Sequence, residues 1–461
     1  MKISKKITKI GWVFLLNLLF LQLFVSAAAV DPTEKLPADS TTGTEAYTAP
    51  GLDTYHVDAK AALLVELNTG EILVSQNAEE SAYPASLTKI MTCLLTIENG
   101  NLDDIVTVSE TALADMDPAG STADLQVGEE ISVEDLLYCM MLSSANEACN
   151  VAAEYVSGSI DAFVALMNER AAELGCTGTH FANPHGLHEE DHYTTAMDLA
   201  RITEEALQNK TFYQICTTTD YVVPVTNLSE ERTLHTTNYL VSDSMTSDYY
   251  YARAAGVKTG FTTPAGRCLI TTATDGNLDL LSIVLGADTV VQESGDLVLK
   301  NFTETKALCE YAFDTFDYAK VLDKLNPVAQ APVIAAEVDT VVLAPTEDII
   351  RILPKDYDTE QIKTSVTLDD PEGIEAPVEA GQILGAVTVS YQGQTLGTVP
   401  LAAISGVERS GFLYYKQLIF DFLGQHWVLL ILLVVVLLMA FLLLRYAMIN
   451  RARRRRRRRR R

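Results

Sequence analysis

The spacing of apolar and polar positions changes several times along the chain, and each change predicts a different kind of element. Ile10 to Val25 is an apolar run preceded by Lys2, Lys5, Lys6 and Lys9. Asp31 to Asp53 is rich in Pro, Thr, Ala and acidic residues, which predicts a spacer. Ala61 to Glu66 and Glu71 to Ser75 are short apolar runs around Asn68-Thr69-Gly70, the signal of a hairpin. Leu87, Ile90, Met91, Leu94 and Leu95 then recur at helical spacing and predict a buried helix. Further helices are expected over Val133 to Met141, over Asp161 to Leu174, from near Thr195, and over Leu297 to Phe313. Between the last two, Arg267 to Thr272 and Leu278 to Leu285 flank Asp275-Gly276 as a second hairpin. Strands that open the domain, helices in its middle and strands that return before a closing helix predict an α+β domain.

After Tyr318 the texture becomes β-like. Val338 to Leu343, Ile362 to Leu368, Ile383 to Tyr391 and Thr395 to Leu401 are short runs separated by Pro and Gly, with no helix of three turns among them. Trp427 to Leu444 is an uncharged run of 18 residues, about the length that crosses a bilayer core.

Charge sharpens this picture. The 461 residues carry 34 Lys plus Arg against 61 Asp plus Glu, a net of −27. Four of the basic residues precede Ile10, and eleven Arg lie in residues 445–461, nine of them consecutive from Arg453 to Arg461. The rest of the chain is left with a net of −42, which excludes wrapping of nucleic acid. The lysines, the apolar run and Ser26-Ala27-Ala28-Ala29 have the three parts of a secretory signal peptide. The Arg tail beyond the second apolar run marks the cytoplasmic side. The expected order is a signal peptide over 1–29, a linker over 30–54, a catalytic domain over 55–317, a β-rich domain over 318–408, a transmembrane helix over 427–444 and a cytoplasmic tail over 445–461. The seven cysteines include no C-x-x-C pair, so a zinc ribbon or thioredoxin motif is not expected.

Three short motifs carry candidate chemistry. Ser86 and Lys89 stand three apart at a helix start, on one face. A serine hydroxyl needs a base before it can attack, and a lysine whose pKa is depressed by burial can be that base. Ser144-Ala145-Asn146 follows the second expected helix, and Lys258-Thr259-Gly260 is read as leading into a strand. In the order S-x-x-K, S-x-N, K-T-G these are the signature of β-lactamases and penicillin-binding proteins.

The sequence resembles the D-alanyl-D-alanine carboxypeptidases, the low-molecular-mass penicillin-binding proteins of peptidase family S11. Besides the three motifs, the resemblance includes Leu125-x-x-Gly128-Glu129, Asn183-Pro184-His185-Gly186-Leu187 and Thr195-Ala196-x-Asp198-Leu199-Ala200. It covers about Tyr55 to Phe316, and more loosely the β-rich stretch from Tyr318 to Ile404. The resemblance implies a transpeptidase-like domain, an antiparallel sheet with helices, followed by a small β-rich domain and here one membrane helix. It implies peptidoglycan stem peptides ending in D-Ala-D-Ala as substrate, β-lactams as covalent inhibitors, and no cofactor or metal. In it Ser86 is the acylated nucleophile, Lys89 its base, Ser144 a proton relay and Asn146 the holder of the substrate amide. Lys258 and Thr259 hold the terminal carboxylate, Gly260 completes the motif, and the backbone N–H groups of Ser86 and Phe261 form the oxyanion hole. Phe261 stands where relatives often have His, and the terminal spanning run replaces the amphipathic helix of many relatives.

Three other readings compete. His188-Glu189-Glu190-Asp191-His192 matches H-E-x-x-H, a zinc motif that works only on a helix, and this copy lacks helical periodicity. A class A β-lactamase needs a glutamate for deacylation, and the nearest match is Glu204-Glu205-Ala206-Leu207-Gln208. The third is a wall-binding protein with a vestigial site, which the complete set of motif side chains argues against.

Overall fold

The computed structural model describes residues 55–114, 116, 120–243 and 248–458; the expected signal peptide and linker lie outside them. The chain divides into two compact units, one ending at Asp317 and the next beginning at Tyr318.

The first unit opens with the expected hairpin, β1 (Ala61–Glu66) and β2 (Ile72–Gln76). A turn of 3-10 helix, Ala85–Thr88, runs directly into α1 (Lys89–Asn99), whose Ile90, Met91, Leu94 and Leu95 are all buried. After β3 (Ile105–Thr107), the one-turn helix α2 (Glu110–Leu113) and β4 (Glu130–Ser132) come three longer helices. These are α3 (Val133–Met141), α4 (Asn146–Ser157) and α5 (Ile160–Glu173). Then follow α6 (Ala196–Gln208), α7 (Lys210–Thr217), the hairpin β5 (Asp220–Val223) and β6 (Arg232–His235), and the long strands β7 (Ala254–Thr262), β8 (Gly266–Thr274) and β9 (Asp279–Ala287). The short pair β10 (Thr289–Val291) and β11 (Leu297–Leu299) precedes α8 (Lys300–Thr315). Starts are locally encoded: the side chains of Ser132, Ser159, Thr195 and Asn209 each accept a backbone N–H of the helix that follows, satisfying donors no turn can reach.

The sheet has the antiparallel order β2-β1-β9-β8-β7, so both ends of the domain sequence meet in its centre. One face carries Ala61, Leu63, Val65, Ile270, Leu281, Ile283 and Leu285 into a core shared with α1 and α3 to α7, and α8 packs on β8 and β9. β7 is the edge strand, and it lies against the 3-10 turn that holds Ser86.

Several details differ from the sequence reading. Lys258-Thr259-Gly260 lies inside β7 rather than ahead of a strand. Residues 297–299 pair with β10 as a strand, and the closing helix starts only at Lys300. α4 was not expected: its buried Ala148, Cys149, Val151, Ala152 and Ala153 are small and lie on most of its faces, so no Leu/Ile stripe reveals it. α7 follows α6 after Asn209 alone, and that asparagine caps it.

In the second unit, β12 (Phe316–Leu322), which crosses the division, pairs with β15 (Ile349–Pro354). The others, β13 (Ala329–Ile334), β14 (Thr340–Pro345), β16 (Ile362–Leu368), β17 (Ile374–Glu375), β18 (Ile383–Tyr391) and β19 (Gln394–Ala403), form one sheet in the order β16-β18-β19-β14-β13-β17. β13 escapes sequence reading because Pro332 interrupts it, and β17 because it has two residues. The chain closes with α9 (Gly411–Arg458), among the described residues the one helix long and apolar enough to cross a membrane. Its side chains from Trp427 to Leu444 are almost all exposed, as a lipid-facing segment requires.

Ending the chain after Ser410 removes all of α9. The truncated protein is expected in the soluble fraction of a cell that exports it. Persistence in the membrane pellet after a salt wash would show a second anchor.

Candidate active site

The Ser86 turn is shaped before any other element touches it. Ala85 has φ +48, a left-handed conformation that costs a residue with a Cβ about 1–2 kcal/mol, and it lifts Ser86 so that this serine is half-buried while its neighbours Ala85 and Leu87 are buried. Lys89 is the first residue of α1, one turn on and fully buried. Its Nζ donates to Ser86 Oγ at 2.9 Å, to Asn146 Oδ1 at 2.8 Å and to the His185 carbonyl at 2.7 Å. Those three acceptors match the three hydrogens of an ammonium. Burial pushes the Lys89 pKa down to about 8, with the Glu147 carboxylate pulling it the other way.

Each partner is brought by a different segment. Ser144, at φ +60, makes the left-handed turn after α3 that lets Asn146 begin α4 pointing at Lys89. Ser144 is itself buried, and among the described residues its hydroxyl bonds neither Ser86 nor Lys89. The strap before β4 is tied to the same place: Asn146 N–H donates to the Ser121 carbonyl at 2.9 Å, and Glu147 Oε1 accepts from Thr122 Oγ1 and Ala123 N, each at 2.7 Å. The strap's far end is held by buried Glu129, which pairs with Arg232 and accepts from Thr226 Oγ1.

β7 supplies the opposite wall. Its Lys258 is buried, and burial first and the Lys89 charge second hold it well below the usual lysine range. Lys258 Nζ donates to the Thr259 carbonyl at 3.1 Å, and among the described residues no carboxylate lies within ion-pair distance of it. Thr259 Oγ1 meets Thr237 Oγ1 at 2.5 Å. Gly260 is where the wall touches the turn: a Cβ there would lie 3.0 Å from the Pro84 carbonyl oxygen and 3.2 Å from Ser86 N. Phe261 follows with its ring 56% exposed, backed by the Arg267 guanidinium 4.9 Å from the ring centroid. The structure therefore joins Ser86, Lys89 and Asn146 directly and places Gly260 against the Ser86 amide. Lys258 is near enough to Lys89 to sense its charge. Sequence reasoning missed the His185 carbonyl and Thr237; the Asn183 to Leu187 motif flagged the first, and nothing local flagged the second.

Both competing catalytic motifs are occupied otherwise. His188 to His192 form no helix. Instead the His188 ring stands edge-on to Tyr83 with centroids 4.6 Å apart, Glu189 Oε1 accepts from Asn183 Nδ2 at 2.8 Å, and both ring nitrogens of His192 are hydrogen-bonded. Glu204, the glutamate that the second motif requires, is half-buried within α6, and its neighbour Glu205 pairs with Arg170 at 2.7 Å, in a network that also holds Glu98.

Comparison with known proteins identifies this arrangement. The model of the Peptidase S11 family, described as D-alanyl-D-alanine carboxypeptidase, matches residues 45–289, and that of the penicillin-binding protein 5 C-terminal domain matches residues 316–409. This chain belongs to the D-alanyl-D-alanine carboxypeptidase family. It is 34% identical over 364 residues to D-alanyl-D-alanine carboxypeptidase DacF of Bacillus subtilis, covering 78% of this chain and 88% of that one. With DacC of Escherichia coli it shares 31% identity over 365 residues, covering 77% and 86%. The crystal structure of penicillin binding protein 5 from Haemophilus influenzae superposes with a TM-score of 0.58 at 26% identity, covering 77% of this chain and 99% of that one. The carboxypeptidase family's penicillin-binding-protein fold is thus present, α+β with a β-rich C-terminal domain.

The close approach at Gly260 yields a prediction. Gly260→Ala must push the Ser86 turn by a few tenths of an ångström, and displacements of 1 Å at a reacting centre cost about a hundredfold in rate. The variant is expected to lose about tenfold in kcat with its melting temperature nearly unchanged. A wild-type kcat would show that the turn yields freely.

Proposed function

We propose that this chain is a membrane-anchored serine carboxypeptidase that removes the terminal D-alanine from peptidoglycan stem peptides ending in D-Ala-D-Ala, through an acyl-enzyme on Ser86. The observation that carries the reading is the three-way bonding of a buried Lys89 to Ser86, Asn146 and the His185 carbonyl. A lysine with its pKa near 8 is partly unprotonated at neutral pH. As a neutral amine it keeps two hydrogens, one each for Asn146 Oδ1 and the His185 carbonyl. Its lone pair then faces Ser86 Oγ, the geometry of a general base.

In this mechanism Ser86 Oγ attacks the carbonyl carbon of the penultimate D-Ala while Lys89 takes the hydroxyl proton. The negative charge that develops on the carbonyl oxygen is met by the backbone N–H groups of Ser86 and Phe261. Collapse breaks the peptide bond, and the leaving amine receives a proton by way of Ser144. Water then cleaves the ester with Lys89 again as base. Asn146 holds the substrate amide, and Lys258 and Thr259 hold the terminal carboxylate. A β-lactam, whose strained amide presents the same carbonyl next to a carboxylate, acylates Ser86 by the same first step. We further propose that the catalytic unit lies outside the cell, that residues 427–444 cross the membrane once, and that the Arg tail stays in the cytoplasm, since such a tail after an apolar run favours that side.

Product analysis on a pentapeptide ending in D-Ala-D-Ala, together with labelling by a fluorescent penicillin, tests the reading. Wild-type protein should release D-Ala and take a covalent label. Ser86→Ala should do neither, a loss of at least about a thousandfold. A labelled Ser86→Ala protein would place the nucleophile elsewhere.

The part given to Lys258 has its own test. An ammonium–carboxylate contact in a partly closed site is worth about 1.5–3 kcal/mol, or about ten- to a hundredfold in rate. Lys258→Gln is expected to lose that much on a peptide with a free C-terminus and little on a small neutral ester. Equal losses on both would assign Lys258 to tuning Lys89 instead.

A further inference from the structure

The segment that matches H-E-x-x-H is not idle. It lies beneath the Ser86 turn, and a chain of hydrogen bonds runs from it into that turn. The Ala182 N–H donates to His192 Nδ1 at 3.1 Å, which leaves the proton of this neutral imidazole on Nε2. His192 Nε2 is 2.8 Å from Thr88 Oγ1 and donates to it. Thr88 Oγ1 in turn donates to the Ala85 carbonyl at 2.9 Å. Every polar atom in the chain has its donor and acceptor roles fixed by its neighbours, and His192, Thr88 and Ala85 are each buried.

The chain ends on a meaningful group. Ala85 is the left-handed residue that turns the backbone into Ser86. Alanine does not favour that conformation, so surrounding contacts must hold it. Gly186 closes the same carbonyl from another side. A Cβ at Gly186, whose φ is +86, would lie 1.9 Å from the Ala85 carbonyl oxygen and 2.8 Å from Thr88 Oγ1. Thr92 Oγ1 donates to the Pro184 carbonyl at 2.6 Å and fixes the 182–192 loop to α1 one turn further on.

We propose that His192 is a positioning residue for acylation: through the Thr88 hydroxyl it holds the Ala85 carbonyl, and with it the left-handed turn that presents Ser86 Oγ to Lys89. Its imidazole acts as a fixed neutral donor–acceptor spacer and takes no part in proton transfer or metal binding. The surroundings agree with a neutral ring, since burial pushes the His192 pKa down to about 4, with the neighbouring His180 adding to that effect. A protonated ring would carry a second N–H pointing at the Ala182 N–H, and the chain would break at its first link.

The inference rests on Ser86 being the nucleophile, and the experiment separates the two. Full-length protein in detergent is mixed with fluorescent penicillin over a range of concentrations, which resolves the saturating acylation rate from the half-saturation constant. Melting temperatures are measured in parallel. Thr88→Val keeps the shape of the side chain and removes the hydroxyl. It is expected to lower the saturating rate about ten- to a hundredfold with little change in half-saturation, while Thr88→Ser returns most of the rate. His192→Phe should lose as much as Thr88→Val, and the double variant should be no slower than the slower single, because both cut one chain. His192→Gln, which can still accept and donate, covers the case in which His192→Phe does not fold, and it should be faster than Thr88→Val. A lower melting temperature with wild-type acylation in Thr88→Val, or multiplicative losses in the double variant, would overturn the proposal and leave a structural bond only. Labelling of Ser86→Ala would instead remove the reading beneath it.

Discussion

The catalytic unit is organised around one buried cation. Among the described residues no carboxylate lies within ion-pair distance of Lys89, and a lone charge away from water is costly unless its hydrogen bonds are complete. Three acceptors complete them, and they come from three parts of the chain: the 3-10 turn, the start of α4 and the 182–192 loop. The first is local, but the other two are 57 and 96 residues away in sequence, so satisfying one side chain closes two long loops. The compromise is visible in the pKa. Burial disfavours the charged form, nearby Cys149 and the Glu147 carboxylate favour it, and the balance near 8 leaves both forms accessible. A carboxylate in the same place would have secured the cation and removed its usefulness as a base.

Lys258, on the facing strand β7, repeats the situation and senses the charge of Lys89. Each is buried, and the charge of Lys89 lowers the pKa of Lys258 further. A site with two buried amines and, among the described residues, no carboxylate bonded to either is short of negative charge, although the chain outside its basic ends carries a net of −42. An anionic peptide end, as the proposed function requires, would meet repulsion at long range, which salt screens over roughly 10 Å, and attraction only inside the site. In the mechanism proposed above, selection for a free C-terminus would then belong to the site and not to the protein's overall field.

What the sequence made legible follows from how local each feature is. The S-x-x-K pair was readable because three residues of helical turn suffice to bring Ser86 and Lys89 together. The hairpins were readable because continuous apolar runs, buried on both faces in β1 and β9, flank the turn signals Asn68-Thr69-Gly70 and Asp275-Gly276. α4 was not, because its apolar side is built from alanine, cysteine and valine rather than Leu or Ile, and reads as a featureless small-residue run. The K-T-G segment reads as a lead into a strand rather than the strand itself because Gly256 and Gly260 flank it. The structure gives the second glycine another purpose, contact between the edge strand and the Ser86 turn. The H-E-x-x-H match shows the reverse error of pattern without periodicity: the right letters on a non-helical segment, each already bonded to something else.

Small residues around Ser86 express one geometric demand. A nucleophile whose own amide is to serve the reaction needs backbone close on several sides, and side chains prevent such approach. Gly260 admits β7 to within contact of the Ser86 amide, and Gly186 admits the 182–192 loop to the Ala85 carbonyl. Between them the 3-10 turn is held at its carbonyl on one side and faced by a strand edge on the other, while Lys89 fixes the hydroxyl from below. Ala85 can then stay in a conformation it would leave if free, because moving it would break the Thr88 bond and press on Gly186 together. The strain is local, and the restraint comes from segments about a hundred residues on. That separation explains why a short motif points to Ser86 as the candidate nucleophile but cannot by itself explain its placement.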